Sequence, residues 1–195
     1  SPNAFVVTGL NEGTLVALIT NGFTNVENLT GGLLDDTFTI DSGATLSGDI
    51  VGGLGTDKII QTDGTNAWYI TTNYAGAVTD INGTFSSIED LHGGTDDDTF
   101  VFSNGKLIGG SVDGGAGTDE LDLDLYLTDV DFKITAAGGI DGLDGTTDVA
   151  LGGDPKPVGV EFKNIDSLVA DADGSLLTGP DGVANDWIIE NTNSG

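Results

Sequence analysis

The chain repeats itself, and that constrains its fold more than any other feature. The stretch FTNVENLTGGLLDDTFTIDSGATLSGDIVGGLGTDKI from Phe23 aligns without a gap on FSSIEDLHGGTDDDTFVFSNGKLIGGSVDGGAGTDEL from Phe85. Leu29 falls on Leu91, Asp36-Thr37-Phe38 on Asp98-Thr99-Phe100, and Gly55-Thr56-Asp57 on Gly117-Thr118-Asp119. A third copy opens at Phe162 as FKNIDSLV and passes to DGVANDWII from Asp181, which resembles DGTNAWYI from Asp63; NAFVVTG from Asn3 resembles the same stretch. The chain therefore divides into the tail of one copy (1–22), a complete unit (23–84), a second unit (85–161) and the head of a third (162–195). Residues 126–159 break the apolar pattern and contain two prolines, so they read as an inserted surface loop. The abrupt ends, Ser1-Pro2 and TNSG, suggest a piece of a longer protein.

A finer period lies inside the unit. One apolar column runs Phe38, Ile59, Ile81, Phe100, and another runs Ile50, Ile70, Leu91, Val112, each with nearly even steps. DTFTI, AWYIT, DTFVF and LDLDLYL alternate apolar and polar residues between Gly, Asn and Asp turn signals, the pattern of short strands. Strands recurring with a period of about 21 residues predict an all-β right-handed parallel β-solenoid (β-helix) with coils of that length. Each coil would bury its inward side chains on the next. A row of small antiparallel sandwiches, one per unit, is the alternative, with each core near the lower size limit.

Composition limits the partners. Acidic side chains number 32 and basic ones 5, for a formal charge of −27. Folding such a chain is opposed by self-repulsion unless cations gather on it. Nucleic acid and membrane insertion are not expected, because no cluster of basic residues and no long apolar run is present. Hydrophobic residues at 37% are enough for a packed core. The absence of Cys excludes disulfides and thiolate metal sites.

Glycine turns carry the clearest chemical signal. GGLGTDKII from Gly52 and GGAGTDELD from Gly114 match the calcium-associated nonapeptide GGxGxDxUx, where U is a large apolar residue. GGLLDDTFT from Gly31 and GGTDDDTFV from Gly93 keep the paired glycines and the aspartate but place Leu34 and Asp96 where the middle glycine belongs. Glycines let the backbone turn its carbonyls inward while the aspartate closes an all-oxygen cage of the kind Ca²⁺ prefers. The turns stand one whole coil apart instead of following one another as tandem nonapeptides, so Asp36 would stack on Asp57 and Asp98 on Asp119, each pair sharing an ion. The alternative is purely structural, with the aspartates capping their own turns.

NVENLTGG, IEDLHGG, DDTF, GGxGTDxL and DGxNxW resemble the repeat regions of very large bacterial surface proteins, the RTX-type adhesins and related β-strand-repeat proteins. The resemblance implies an extracellular, calcium-stiffened module that acts in attachment or biofilm cohesion. Its partners would be calcium, neighbouring repeats of the same chain, and a surface glycan or protein. A polysaccharide-acting enzyme or carbohydrate-binding module on a parallel β-helix is the alternative. Against an enzyme stand the absence of Arg and the single His92, which falls where the other unit has Thr30. An ice-binding ladder of threonines is broken where Thr39 gives way to Val101. Trp68 and Trp187 occupy equivalent strand positions and read as core anchors.

Overall fold

The computed structural model describes residues 2–16, 21–149, 156–170 and 175–180, so Asn185 and Trp187 lie outside the described residues. Every element among the described residues is a β-strand. The chain opens with β1 (Ala4–Gly9), β2 (Glu12–Leu15) and β3 (Phe23–Thr24), a meander whose neighbours pair antiparallel. Single strands follow: β4 (Leu29–Gly32), β5 (Thr37–Ile40), β6 (Ile50–Gly53) and β7 (Lys58–Gln61). A second meander, β8 (Ala67–Thr72), β9 (Ala75–Val78) and β10 (Phe85–Ser86), leads into β11 (Asp90–Gly94), β12 (Thr99–Phe102), β13 (Val112–Gly115) and β14 (Glu120–Asp122). A third, β15 (Val130–Ala137), β16 (Leu143–Val149) and β17 (Phe162–Ile165), precedes β18 (Ser167–Val169) and β19 (Leu177–Thr178).

These strands form two mixed sheets. The larger has the order β19-β15-β16-β17-β13-β11-β7-β5-β1-β2-β3 and the smaller β18-β14-β12-β8-β9-β10-β6-β4. After the first meander in the larger sheet, β4 to β7 alternate between the smaller and the larger. The second meander lies in the smaller sheet, and β11 to β14 alternate in the opposite sense. Passing from one repeat unit to the next therefore exchanges the sheets: Phe23 of β3, Phe85 of β10 and Phe162 of β17 are one sequence position, visited in the larger, smaller and larger sheet in turn.

Two of the steps read from the sequence appear as parallel register. Phe38 pairs with Ile59 and Leu91 with Val112. The rest of the columns differ. Leu91 pairs with Ile59, Ile70 with Phe102, Phe85 with Ile50, and Ile81 forms a bridge to Leu46. The cause is the second meander: β9 doubles back on β8, so after Ile59 the chain returns to its neighbour in the larger sheet at Leu91 rather than at Ile81.

The expected surface loop at 126–159 is also different, since it contains the two long strands of the third meander. Val130, Phe132 and Ile134 of β15 point into the core, whereas β16 turns Gly145 and Thr147 inward. A Cβ on Gly145 would lie 2.4 Å from the ring of Phe162. Gly76 and Gly13 meet the rings of Phe85 and Phe23 in the same way, so each meander lays a glycine across an aromatic ring. A strand with Gly and Thr as its inward face carries no apolar alternation, which is why it does not show in the sequence.

The core runs between the sheets as one cluster. Trp68 is fully buried, stacks on Phe100 with ring centroids 5.6 Å apart, and meets Phe85 edge to face at 6.3 Å. Phe5 on Phe38, and Phe132 against Phe162, repeat these contacts in the neighbouring units. Trp68→Ala removes a large side chain from a site closed on both sheets and is expected to cost about 3–5 kcal/mol, measured as a lower urea midpoint at unchanged slope.

Candidate metal centre

Each glycine corner places an aspartate immediately before the next strand: Asp36 before β5, Asp57 before β7, Asp98 before β12 and Asp119 before β14. All four side chains are buried. One carboxylate oxygen of each accepts a hydrogen bond from the backbone N–H of the preceding rung, so the corners form ladders. In the first, Asn3 N–H donates to Asp36, Asp36 N–H to Asp57 at 2.6 Å, and Asp57 N–H to Glu89 at 2.8 Å. In the second, Asn66 N–H donates to Asp98 and Asp98 N–H to Asp119, both at 2.8 Å, and Asp119 N–H to Asp166 at 3.0 Å.

The first ladder lines the amino ends of strands in the larger sheet and the second those of the smaller sheet. In each sheet these strands run parallel to one another, and the chain passes from the carboxyl end of β6 to the amino end of β7. The two ladders therefore occupy opposite ends of the strands.

The structure thus brings Asp36 beside Asp57 and Asp98 beside Asp119 on consecutive rungs. The structural alternative, aspartates capping their own turns, is not what is seen, because one oxygen of each aspartate serves the amide of its neighbour. The other oxygen, Oδ2, of all four accepts no hydrogen bond. It sits over the first glycine of its corner. A Cβ on Gly31, Gly52, Gly93 or Gly114 would lie 2.2–2.5 Å from Oδ2 of Asp36, Asp57, Asp98 or Asp119 respectively. A backbone carbonyl from an adjoining segment crowds the same point, that of Gly52, Ser87, Gly114 or Asn164. The first glycine of each pair is thus required by close approach of oxygens.

Uncompensated burial shows in the acidities. Burial raises Asp57 and Glu89 above the usual carboxylate range. It pushes Asp98 up to about 6, and Asp119 up to about 7, where the charges of Asp98, Asp166 and Asp141 add to it. These are carboxylates held where their ionised forms are poorly solvated.

At the second ladder a third chain segment closes on the corner. Asp141, in the turn between β15 and β16, accepts a hydrogen bond from Gly117 N–H at 3.2 Å. Asp119, Asp141 and Asp166 each offer one oxygen, and the three atoms lie within 4.8 Å of one another. Asp141 Oδ1 joins Asp119 Oδ2 as a buried oxygen without a hydrogen bond. Three carboxylates with a backbone carbonyl nearby make an all-oxygen donor set, suited to a hard divalent cation.

No protein family, curated protein or solved structure matches the chain.

Sequence reasoning does not assign Asn3, Glu89, Asp141 or Asp166 to the site. For Glu89 and Asp166 a signal is present, since both stand four residues after the repeated phenylalanine, in FSSIED and FKNID. Asn66 also gains a role from the structure: its backbone starts the second ladder while its side-chain amide donates to the carbonyl of Gly64 at 2.6 Å.

Proposed function

We propose that the chain is an extracellular structural and adhesive module of a large bacterial surface adhesin, wound as a parallel β-solenoid and stiffened by calcium at its glycine corners. The observation that carries this reading is the pair of carboxylate ladders. Four buried aspartates leave an oxygen without a hydrogen bond in a chain of charge −27, and such oxygens are stabilised by a bound cation. Parallel register one coil apart, Phe38 on Ile59 and Leu91 on Val112, supports the solenoid, in which each rung is completed only by the next. On this reading the module is a spacer without catalytic activity. Melting in chelator and then in excess calcium tests it: calcium is expected to raise the midpoint, and an unmoved midpoint rejects the calcium part.

One observation favours a second reading, a carbohydrate-binding face. Lys58, His92 and Lys163, three of the chain's six basic side chains, line a depression of about 120 Å³ on the outer face of the larger sheet with Asp90, Ser111 and Asp113. His92 Nδ1 lies 3.3 Å from Asp113, whose other oxygen accepts a hydrogen bond from Asn164. Glycan-array binding that is lost in Lys58→Ala would support this reading; absence of any glycan signal leaves the spacer role.

A further inference from the structure

The two ladders are equivalent by repeat, but their last rungs are not. At the first, Asp57 donates through its N–H to Glu89, and the adjoining β8–β9 turn is made of Asn73 and Tyr74, which carry no carboxylate. At the second, Asp119 donates through its N–H to Asp166, and the longer β15–β16 turn, residues 138–142, reaches back over the corner. That turn is held in place twice. Ile140 N–H donates to Asn164 Oδ1 at 2.9 Å, and Gly117 N–H donates to Asp141 Oδ2 at 3.2 Å. Its path delivers Asp141 to Asp119 and Asp166.

We infer that Asp119, Asp141 and Asp166 bind one calcium ion, and that this ion staples the β15–β16 turn to the second ladder. The acidic cluster does not stand alone in pointing to a ligand. Asp119 is fully buried and its Oδ2 has no partner, and the buried Oδ1 of Asp141 is likewise unpaired. The Asn164 carbonyl and Asp119 Oδ2 both lie 2.4 Å from the point a Gly114 Cβ would occupy, which supplies a backbone oxygen beside the carboxylates. Asn164 holds the left-handed φ of 50° there, as Asn25 and Ser87 do at the equivalent positions, with φ of 56° and 54°. The repeat thus sets the Ser87 carbonyl at the Gly52 corner and the Asn164 carbonyl at the Gly114 corner, and the length of the neighbouring turn decides whether a third carboxylate arrives.

The inference rests on the calcium reading proposed above and narrows it to one site. The test is calorimetric titration of the whole chain with calcium, beside Asp141→Asn, Asp166→Asn and Asp57→Asn. The tightest site is expected to weaken at least tenfold in Asp141→Asn and Asp166→Asn and to persist in Asp57→Asn. Hydrogen exchange at the Gly117 and Ile140 amides should slow on adding calcium to the unsubstituted chain and not to Asp141→Asn. Asp141 lies in a turn, and a melting point in chelator close to that of the unsubstituted chain establishes that the variant folds. Calcium binding undiminished in both Asp141→Asn and Asp166→Asn overturns the site while leaving calcium at other corners intact. No binding by the unsubstituted chain overturns both readings.

Discussion

In chelator, the melting temperature is expected to fall by roughly 5–10 °C as the pH is raised from 4 to 8, and to level off above that. Asp98 and Asp119 drive the change, because burial raises their folded-state pKa values to about 6 and about 7 from an ordinary value of 3.8. Well below pH 3.8 both groups are protonated whether the chain is folded or not, and the contribution is complete. Between 4 and 7 the unfolded chain releases these protons while the folded chain retains them, so stability declines with pH. The carboxylates with depressed values, Asp49, Asp63 and Asp113, act in the opposite sense but only at lower pH, outside this window. On the calcium reading proposed above, the ion requires the ionised forms, so the gap between calcium and chelator curves should widen across the same interval. Differential scanning fluorimetry at half-unit pH steps measures both curves. A chelator profile that is flat from 4 to 8 contradicts the burial of these two aspartates.

The second large effect is steric. Gly52→Ala sets a Cβ 1.9 Å from the Ser87 carbonyl and 2.5 Å from Asp57 Oδ2. The carbonyl belongs to the backbone and cannot swing away, so the corner must open and the rung to Glu89 with it. A loss of about 3 kcal/mol or more is expected. Gly139→Ala is the matched control: nothing lies within 4 Å of its Cβ position, and the change should stay within about 0.5 kcal/mol. Urea denaturation of both variants measures the difference. Equal midpoints would mean that the corners tolerate a side chain and that the glycines are not there for close approach.

Local features of the fold are legible in the sequence because they depend on near neighbours. DTFTI and DTFVF contain β5 and β12, and AWYIT lies in β8. The corner aspartates precede their strands as the nonapeptides imply. The path between strands is not legible. Apolar alternation is the same whether a strand steps onward in parallel or doubles back, so the hairpin of β8 and β9 cannot be told from another parallel step, and the columns through Ile70 and Ile81 join residues that do not pair. The third hairpin is hidden for a different reason, its inward face at Gly145 and Thr147 being small and polar.

The candidate site divides in the same way. Asp119 is legible because a glycine motif announces it. Asp141 and Asp166 meet it from well further along the chain; Asp166 stands at the repeated position four residues after the phenylalanine, which marks the residue but not its partners, and Asp141 lies in a turn with no motif of its own. In an acidic chain a residue such as Asp141 is indistinguishable from solvent-facing neighbours until topology brings it to the corner.

The exchange of sheets between successive units has a mechanical consequence. Repulsion along a single row of carboxylates would splay that side and bow the molecule away from it. Here one unit loads one flank with Asp36 and Asp57, where Glu89 of the next unit joins them, and that next unit loads the other flank with Asp98 and Asp119, where Asp166 of the third joins them. On the solenoid and calcium readings proposed above, the bending moments in an array of such units oppose each other, so gaining or losing calcium would change how rigid the array is without changing the direction in which it points.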